Sequence, residues 1–287
     1  MFYYIIGALI LLTNKVRYYI FGYGHPRPFS VADIDRTINY DLDVFDGWMK
    51  QLKNYSGASD IKGKKILELG PGADLGNAFI ALAHGAASYT AYDANPLAKN
   101  CSDSFYEKLF SVLAEKFGAS IDLFRDELSK LKNNSGRIRY ICNKNFDLSI
   151  LKTQKFDYFF SQAAFEHFDN VEKVLSQISL IATPSAILIA EIDLQTHTQI
   201  IRNRDPLNIY RFSESFYHYC HFNGIPNRIR PQTYAELLKN NGWNNIQVIP
   251  LNKLGQKEME RIRPELNRKY TVDPHLNHLS FVLIGSK

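Results

Sequence analysis

Cysteine is scarce in this chain: Cys101, Cys142 and Cys220 are the only three in 287 residues. They are too few and too scattered for a zinc cluster or a disulfide framework, so reduced, mostly buried thiols in a cytoplasmic protein are expected. Glycine (16) and proline (11) are too few for a fibrous or linker-rich protein. Charge of one sign is also limited. The net charge is +5; residues 199–287 carry 13 basic and 7 acidic side chains, while residues 1–198 are near neutral. No long basic stripe or nucleic-acid module accompanies that excess, and no nucleic-acid partner is expected. One long apolar run exists, FYYIIGALILL at residues 2–12. As a helix it reaches roughly 16 Å, about half of what a bilayer core requires. The positive charge before it and the small-residue cleavage site after it that a secretory leader uses are missing, so no leader is expected. Residues 1–23 are expected to bury against the domain or a second copy, or to lie in a membrane interface with Lys15 and Arg17 on phosphates.

What is present is a change of period. Ile34, Ile38, Leu42, Phe45, Trp48, Met49 and Leu52 share one helical face, ending near Tyr55-Ser56-Gly57. Strands are then predicted at 65–69, 89–92, 138–142, 156–160 and 186–192, with helices at 75–84, 96–117, 121–132 and 170–181. Such alternation indicates a parallel, doubly wound sheet. It lapses after residue 193 and resumes with a helix at 232–240 and strands at 246–249 and 280–284. The chain therefore divides into an N-terminal helical segment, 1–58, and a main domain, 59–287. The latter carries a cap at 194–233 and a charged insertion at 253–277, which by default is a solvated helix.

The most informative stretch is ILELGPGADLG, residues 66–76. A buried strand ends at Glu68, and Gly70, Gly72 and Gly76 lead into a helix, at the strand end where open α/β sheets bind ligands. The Gly-Lys-Ser/Thr of a phosphate loop is missing, and the glycine spacing is not that of a dinucleotide fingerprint. Glu68 and Asp74 would repel a pyrophosphate and suit a ligand with positive charge. Asp93, 21 residues after Gly72, can accept hydrogen bonds from both hydroxyls of a ribose.

These residues, with the FDYFFSQAAFEH run at 156–167, resemble class I S-adenosylmethionine-dependent methyltransferases. The resemblance implies an α/β fold: a Rossmann-like, seven-stranded, mostly parallel sheet with helices on both faces and an antiparallel last strand. It implies S-adenosylmethionine as cofactor, with Gly70 and Gly72 on its methionine part, Asp93 on the ribose and Gln162 bordering the methyl donor. At the adenine edge, where many relatives carry Asp, this sequence offers Asn143, Asn145 and Phe146.

For the substrate side, Glu191 and Asp193 alternate onto one side of a strand end and His197 follows in the loop. A histidine oriented by a carboxylate can deprotonate a hydroxyl as the methyl arrives. His197 or His167 is the expected base and Asp193 its orienter, although His167 reads equally as a histidine that orders its loop. The cap is dense in arginine and aromatics, which suits sugars and anionic groups; Arg204, Arg211 and Arg228 are the expected clamps on a small-molecule, glycan or lipid-linked acceptor. No metal is expected, although Asp193, His197 and Glu166 are ligand types that could meet in space. A SAM-binding scaffold and, less well matched, a dehydrogenase are the alternatives.

Overall fold

The computed structural model describes residues 2–22 and 33–287. Met1 and residues 23–32, which include both ends of the predicted interface segment 1–23, lie outside the described residues. Eleven α-helices and seven strands follow in chain order among the described residues: α1 (Phe2–Phe21), α2 (Ile34–Ser56), β1 (Lys65–Leu69), α3 (Gly76–Ala83), β2 (Ser88–Asp93), α4 (Asp103–Phe117), α5 (Ile121–Lys130), β3 (Ile138–Cys142), β4 (Phe156–Gln162), α6 (Val171–Ile181), β5 (Ala182–Asp193), α7 (Gln199–Arg202), α8 (Glu214–Tyr219), α9 (Pro231–Asn240), β6 (Asn244–Lys253), α10 (Gln256–Ile262), α11 (Arg268–Thr271) and β7 (His278–Ser286). The sheet order is β3-β2-β1-β4-β5-β7-β6. Strands β1 to β4 pair in parallel. The bonds Lys287 N–H to Ala186 O and Leu194 N–H to Leu279 O run in opposite sense along the two chains, so β7 is antiparallel to β5. This is the Rossmann-like sheet expected from the sequence.

The chain forms two compact units. The first to be described holds 33–162, Ser176–Ala190 and Ile284–Lys287. In it α2 starts at Asp33, whose carboxylate accepts the Arg36 N–H, and stops at Gly57 in the left-handed conformation. Its buried stripe includes Ile38, Phe45 and Leu52, each contributing about 1.5–3 kcal/mol by burial, and Trp48 stacks on Phe160 of β4. The helix predicted at 96–117 is interrupted: Ser102 caps α4 by accepting the Phe105 N–H, because a serine before an apolar-periodic run competes for the backbone donors.

The other unit holds 2–22, Ala163–Leu175 and Glu191–Leu283. The expected division at residue 58 therefore does not describe the packing, since α1 sides with the cap and α2 with the β1–β4 sheet. Gly7 explains the first: a Cβ there would lie 2.1 Å from Asn208 Oδ1, and Asn208 donates to Tyr3 O at 2.9 Å. Leu11 joins a core of Leu207, Tyr210, Phe212 and Tyr217. Met259, Ile262, Leu266, Tyr270 and Leu276 belong to the same core. The insertion 253–277 is thus not a solvated helix; its Lys, Arg and Glu side chains are exposed, Asp273 is tied to Arg230, and its apolar residues anchor short helices.

Candidate active site

The glycine turn is built from β1 outward. Gly70 (φ +77°) and Gly72 (φ +83°) take a conformation that side chains disfavour, and a Cβ on Gly72 would meet only open space. Gly70 N–H donates to Tyr92 O at 2.8 Å, holding the turn to the end of β2. Asp93 accepts from Gly72 N–H at 3.4 Å through Oδ2 and from Asn95 N–H at 3.0 Å through Oδ1. Each oxygen keeps acceptor capacity for a hydroxyl. Burial raises the Asp93 pKa, against the pull of those backbone donors.

Glu68, Asp74 and a residue not anticipated, Asp41 of α2, are buried around this turn. Asp74 accepts the Gly76 N–H at 2.8 Å at the start of α3. A Cβ on Gly76 would lie 2.0 Å from Asp41 Oδ2, so glycine is what lets α2 approach there. Glu68 Oε1 accepts from Asn77 at 3.1 Å, while Glu68 Oε2 is buried without a hydrogen-bond partner. Burial, which outweighs the Asn77 hydrogen bond, pushes the Glu68 carboxyl up to about 8. Burial and the charge of Asp74 hold Asp41 well above its ordinary value, and burial raises Asp74. The signal for Asp41 was in the sequence: a lone carboxylate on the apolar stripe, between Ile38 and Phe45.

On the adenine side, Asn143 organises the loop after β3. Its N–H donates to Asp93 O at 2.9 Å, and its Oδ1 accepts from the N–H groups of Asn145 and Asp147. Phe146, at φ +49°, is buried edge-on to Tyr92; Asn145 is exposed. Gln162 ends β4, half-buried, next to Ser161, whose hydroxyl donates to Leu69 O at 2.8 Å.

In the other unit, His197, His167 and Asp193 come together with Glu166. His197 Nε2 is 3.5 Å from Asp193 Oδ2, and Arg202 Nη2 holds the same oxygen at 2.6 Å. Burial would raise the Asp193 pKa, but His197 and Arg202 keep its carboxyl below the usual range. His167 and His197 rings are 4.7 Å apart. His167 Nδ1 is 2.5 Å from Gly224 O, and burial, helped by His197, lowers its pKa to about 4. Glu166 accepts the Asp193 N–H at 3.3 Å, and burial and the Asp193 charge raise it well above its ordinary value. One donor atom each from Glu166, His167 and His197 lies within 4.8 Å of the others, so the ligand types that meet are Glu166 and His197 with His167, where the sequence pointed to Asp193 as the third.

The expected arginine clamps are not alike. Arg211, 3% exposed in its side chain, is bound by Asp205 at 2.7 Å and by Glu265 at 2.5 Å. Arg228 donates to the carbonyls of Ile209 and Phe212, pairs with Glu214 at 2.8 Å and lies over the Tyr217 ring. Both guanidinia are committed to internal partners, which corrects their reading as free clamps. Arg204 is exposed. Arg202, at Asp193, is the guanidinium the sequence reading left out of the site.

A family described as a methyltransferase domain matches residues 40–248. The chain belongs to this family, within the class I S-adenosylmethionine-dependent methyltransferases that residues 66–93 resemble. No curated protein matches its sequence. Among solved structures it is similar to phosphoethanolamine N-methyltransferase 2 of Haemonchus contortus in complex with S-adenosyl-L-methionine, at 16% identity and TM-score 0.45, over 87% of this chain and 52% of that one. It is similar to an assigned S-adenosylmethionine-dependent methyltransferase of Listeria monocytogenes, at 14% identity and TM-score 0.46, over 84% of this chain and 98% of that one. It is also similar to an assigned O-methyltransferase of Nostoc punctiforme, at 14% identity and TM-score 0.48, over 98% of this chain and 72% of that one. The chain spans about half the length of the Haemonchus contortus enzyme.

S-adenosylmethionine is the cofactor of this family, and the glycine-turn residues fit it. An unpartnered buried carboxylate oxygen on Glu68, beside Asp74 and Asp41, suits a cationic amino acid portion. Gly70 and Gly72 admit close approach of a ligand to the backbone, and Asp93 can take the ribose hydroxyls.

Proposed function

We propose that this methyltransferase acts on an oxygen of a sugar or another small or lipid-linked acceptor, with His197 as base and Asp193 as its orienter. The observation that carries the reading is the chain of contacts from His197 to Asp193 to Arg202, at 3.5 and 2.6 Å. Arg202 and the Gln195 N–H fix the carboxylate, and the carboxylate fixes the imidazole, whose side chain keeps about a third of its surface exposed. S-adenosylmethionine supplies an already electrophilic methyl, so the protein's work is alignment of the acceptor, with modest help in removing its proton. His167 supports the loop through Gly224, and exposed Arg204 is the remaining candidate for an anionic group on the acceptor.

A lipid-linked acceptor draws support from α1. Phe2, Ile5, Leu9, Val16 and Ile20 are exposed at three- to seven-residue steps along it, opposite the Gly7–Leu11 side that packs inward. Among the described residues no helix is long and apolar enough to cross a membrane, so such a face would lie in the interface. Co-sedimentation with anionic vesicles, lost in Ile5→Glu/Ile20→Glu, is the expected result; an α1-dependent dimer in place of vesicle binding would reassign this face.

The decisive assay measures S-adenosylhomocysteine release over a panel of sugars, phenols and lipid-linked glycans. With the productive acceptor, His197→Ala is expected to lower kcat about 10²–10⁴-fold with unchanged S-adenosylmethionine affinity. Cofactor binding without turnover on any acceptor would favour a scaffold role, and full activity in His197→Ala would remove the base from the reading.

A further inference from the structure

The base-and-orienter arrangement leaves part of its own surroundings unexplained. Glu166 is 2% exposed; its Oε1 takes the Asp193 N–H, but Oε2 is buried with no hydrogen-bond partner. A buried carboxylate oxygen in that position calls for a proton or a cation. The guanidinium in this network, Arg202, goes to Asp193 instead. What the structure sets beside Glu166 are two imidazoles, with one donor atom of each of the three side chains inside a common 4.8 Å. The contact of His167 Nδ1 with Gly224 O places the proton on Nδ1 and the lone pair on Nε2, which is how ligating imidazoles are held. The anchored carboxylate of Asp193 stands against His197 Nε2 in the same supporting manner.

We propose that Glu166, His167 and His197 form a site for one divalent cation of the zinc type, with Asp193 as the outer carboxylate that orients His197. Two imidazoles and one carboxylate make a three-ligand set of borderline softness that leaves a coordination position open. A cation there lowers the proton affinity of a water or hydroxyl bound at the open position. With the cation bound, His197 is a ligand and no longer the free base proposed above, and a water held at the open position takes over that role; the site is tested without cofactor or acceptor.

The full chain, freed of metal with a chelator, is titrated with Zn²⁺ in competition with a chromophoric chelator and with Co²⁺ by visible absorption. One equivalent is expected to bind, with a ligand-field Co²⁺ spectrum. Glu166→Gln and His197→Ala, checked for native fold by circular dichroism, are each expected to weaken Zn²⁺ by more than about tenfold. His197 is partly exposed, so its variant remains informative if Glu166→Gln does not fold. His275→Gln is the control, because His275 and His278 form a second close imidazole pair, 4.8 Å apart; it is expected to leave binding unchanged. No stoichiometric Zn²⁺ on folded wild type, binding that survives the Glu166 and His197 substitutions, or loss in His275→Gln would each overturn the site. Metal binding with no O-methylation would instead leave the site standing and sink the acceptor reading.

Discussion

The cap and the glycine turn treat buried charge in opposite ways. In the cap-bearing unit the buried or partly buried carboxylates Asp205, Asp273 and Asp193 have guanidinium partners, Arg211, Arg230 and Arg202. Around the glycine turn, Glu68, Asp74 and Asp41 are just as buried, and among the described residues none of them pairs with Lys or Arg. Charge neutralised from within holds a fold together, whereas charge left uncompensated waits for a proton or a cationic ligand. Glu166 is the exception in the cap-bearing unit, and it is where a cation is proposed.

The comparison breaks most visibly at Arg211. Arg211→Ala strands Asp205, whose side chain is 1% exposed, and is expected to cost about 3–5 kcal/mol, measured by denaturant unfolding. If Arg211 acted instead as a free clamp, stability would hold and only turnover would fall. On the other side, Asp93→Ala is expected to weaken S-adenosylmethionine binding by about 1.5–3 kcal/mol in calorimetric titration, with little change in melting temperature. Parallel titration with NAD is expected to show no binding.

The smallest effect is the most diagnostic. The Glu68 pKa of the folded protein, about 8, exceeds its ordinary value of 4.5. The folded state therefore keeps a proton that the unfolded state has released, and stability falls as pH rises from about 4.5 to 8. Glu68→Gln removes that penalty. The variant is expected to melt higher than wild type at pH 9, with the gap closing toward pH 4.5, while binding S-adenosylmethionine more weakly. For wild type at pH 7, cofactor binding is expected to release a proton, seen as a heat that depends on the ionisation enthalpy of the buffer. Buffer-independent heats would mean that Glu68 is already ionised and that the turn is not held in waiting for positive charge.

Much of this was legible from local pattern. The strand–glycine–helix step at 65–76 and the reach to Asp93 follow from periodicity and turn chemistry, which depend on neighbours a few residues away. The strand positions were found for the same reason, although β5 begins at Ala182, four residues before its predicted start at 186. The insertion 253–277 was misread because its charges outnumber its apolar residues, while the core that receives Met259 and Tyr270 is built from residues some fifty positions earlier. Arg211 and Arg228 were misread because composition reveals that guanidinia are present and not which carboxylate or carbonyl each one meets.

By itself the sequence determined the Rossmann-like order of strands and helices, the acidic glycine turn and the placing of Asp93 beside it, because each is written in spacings of one to about twenty residues. Only the tertiary structure decided that Asp41 joins Asp74 across 33 positions, that two arginines are internal ties, and that Glu166, His167 and His197 converge. Charge pairing inside a protein is set by which surfaces meet and how dry they are, and neither distance through space nor burial is encoded at any fixed separation along the chain.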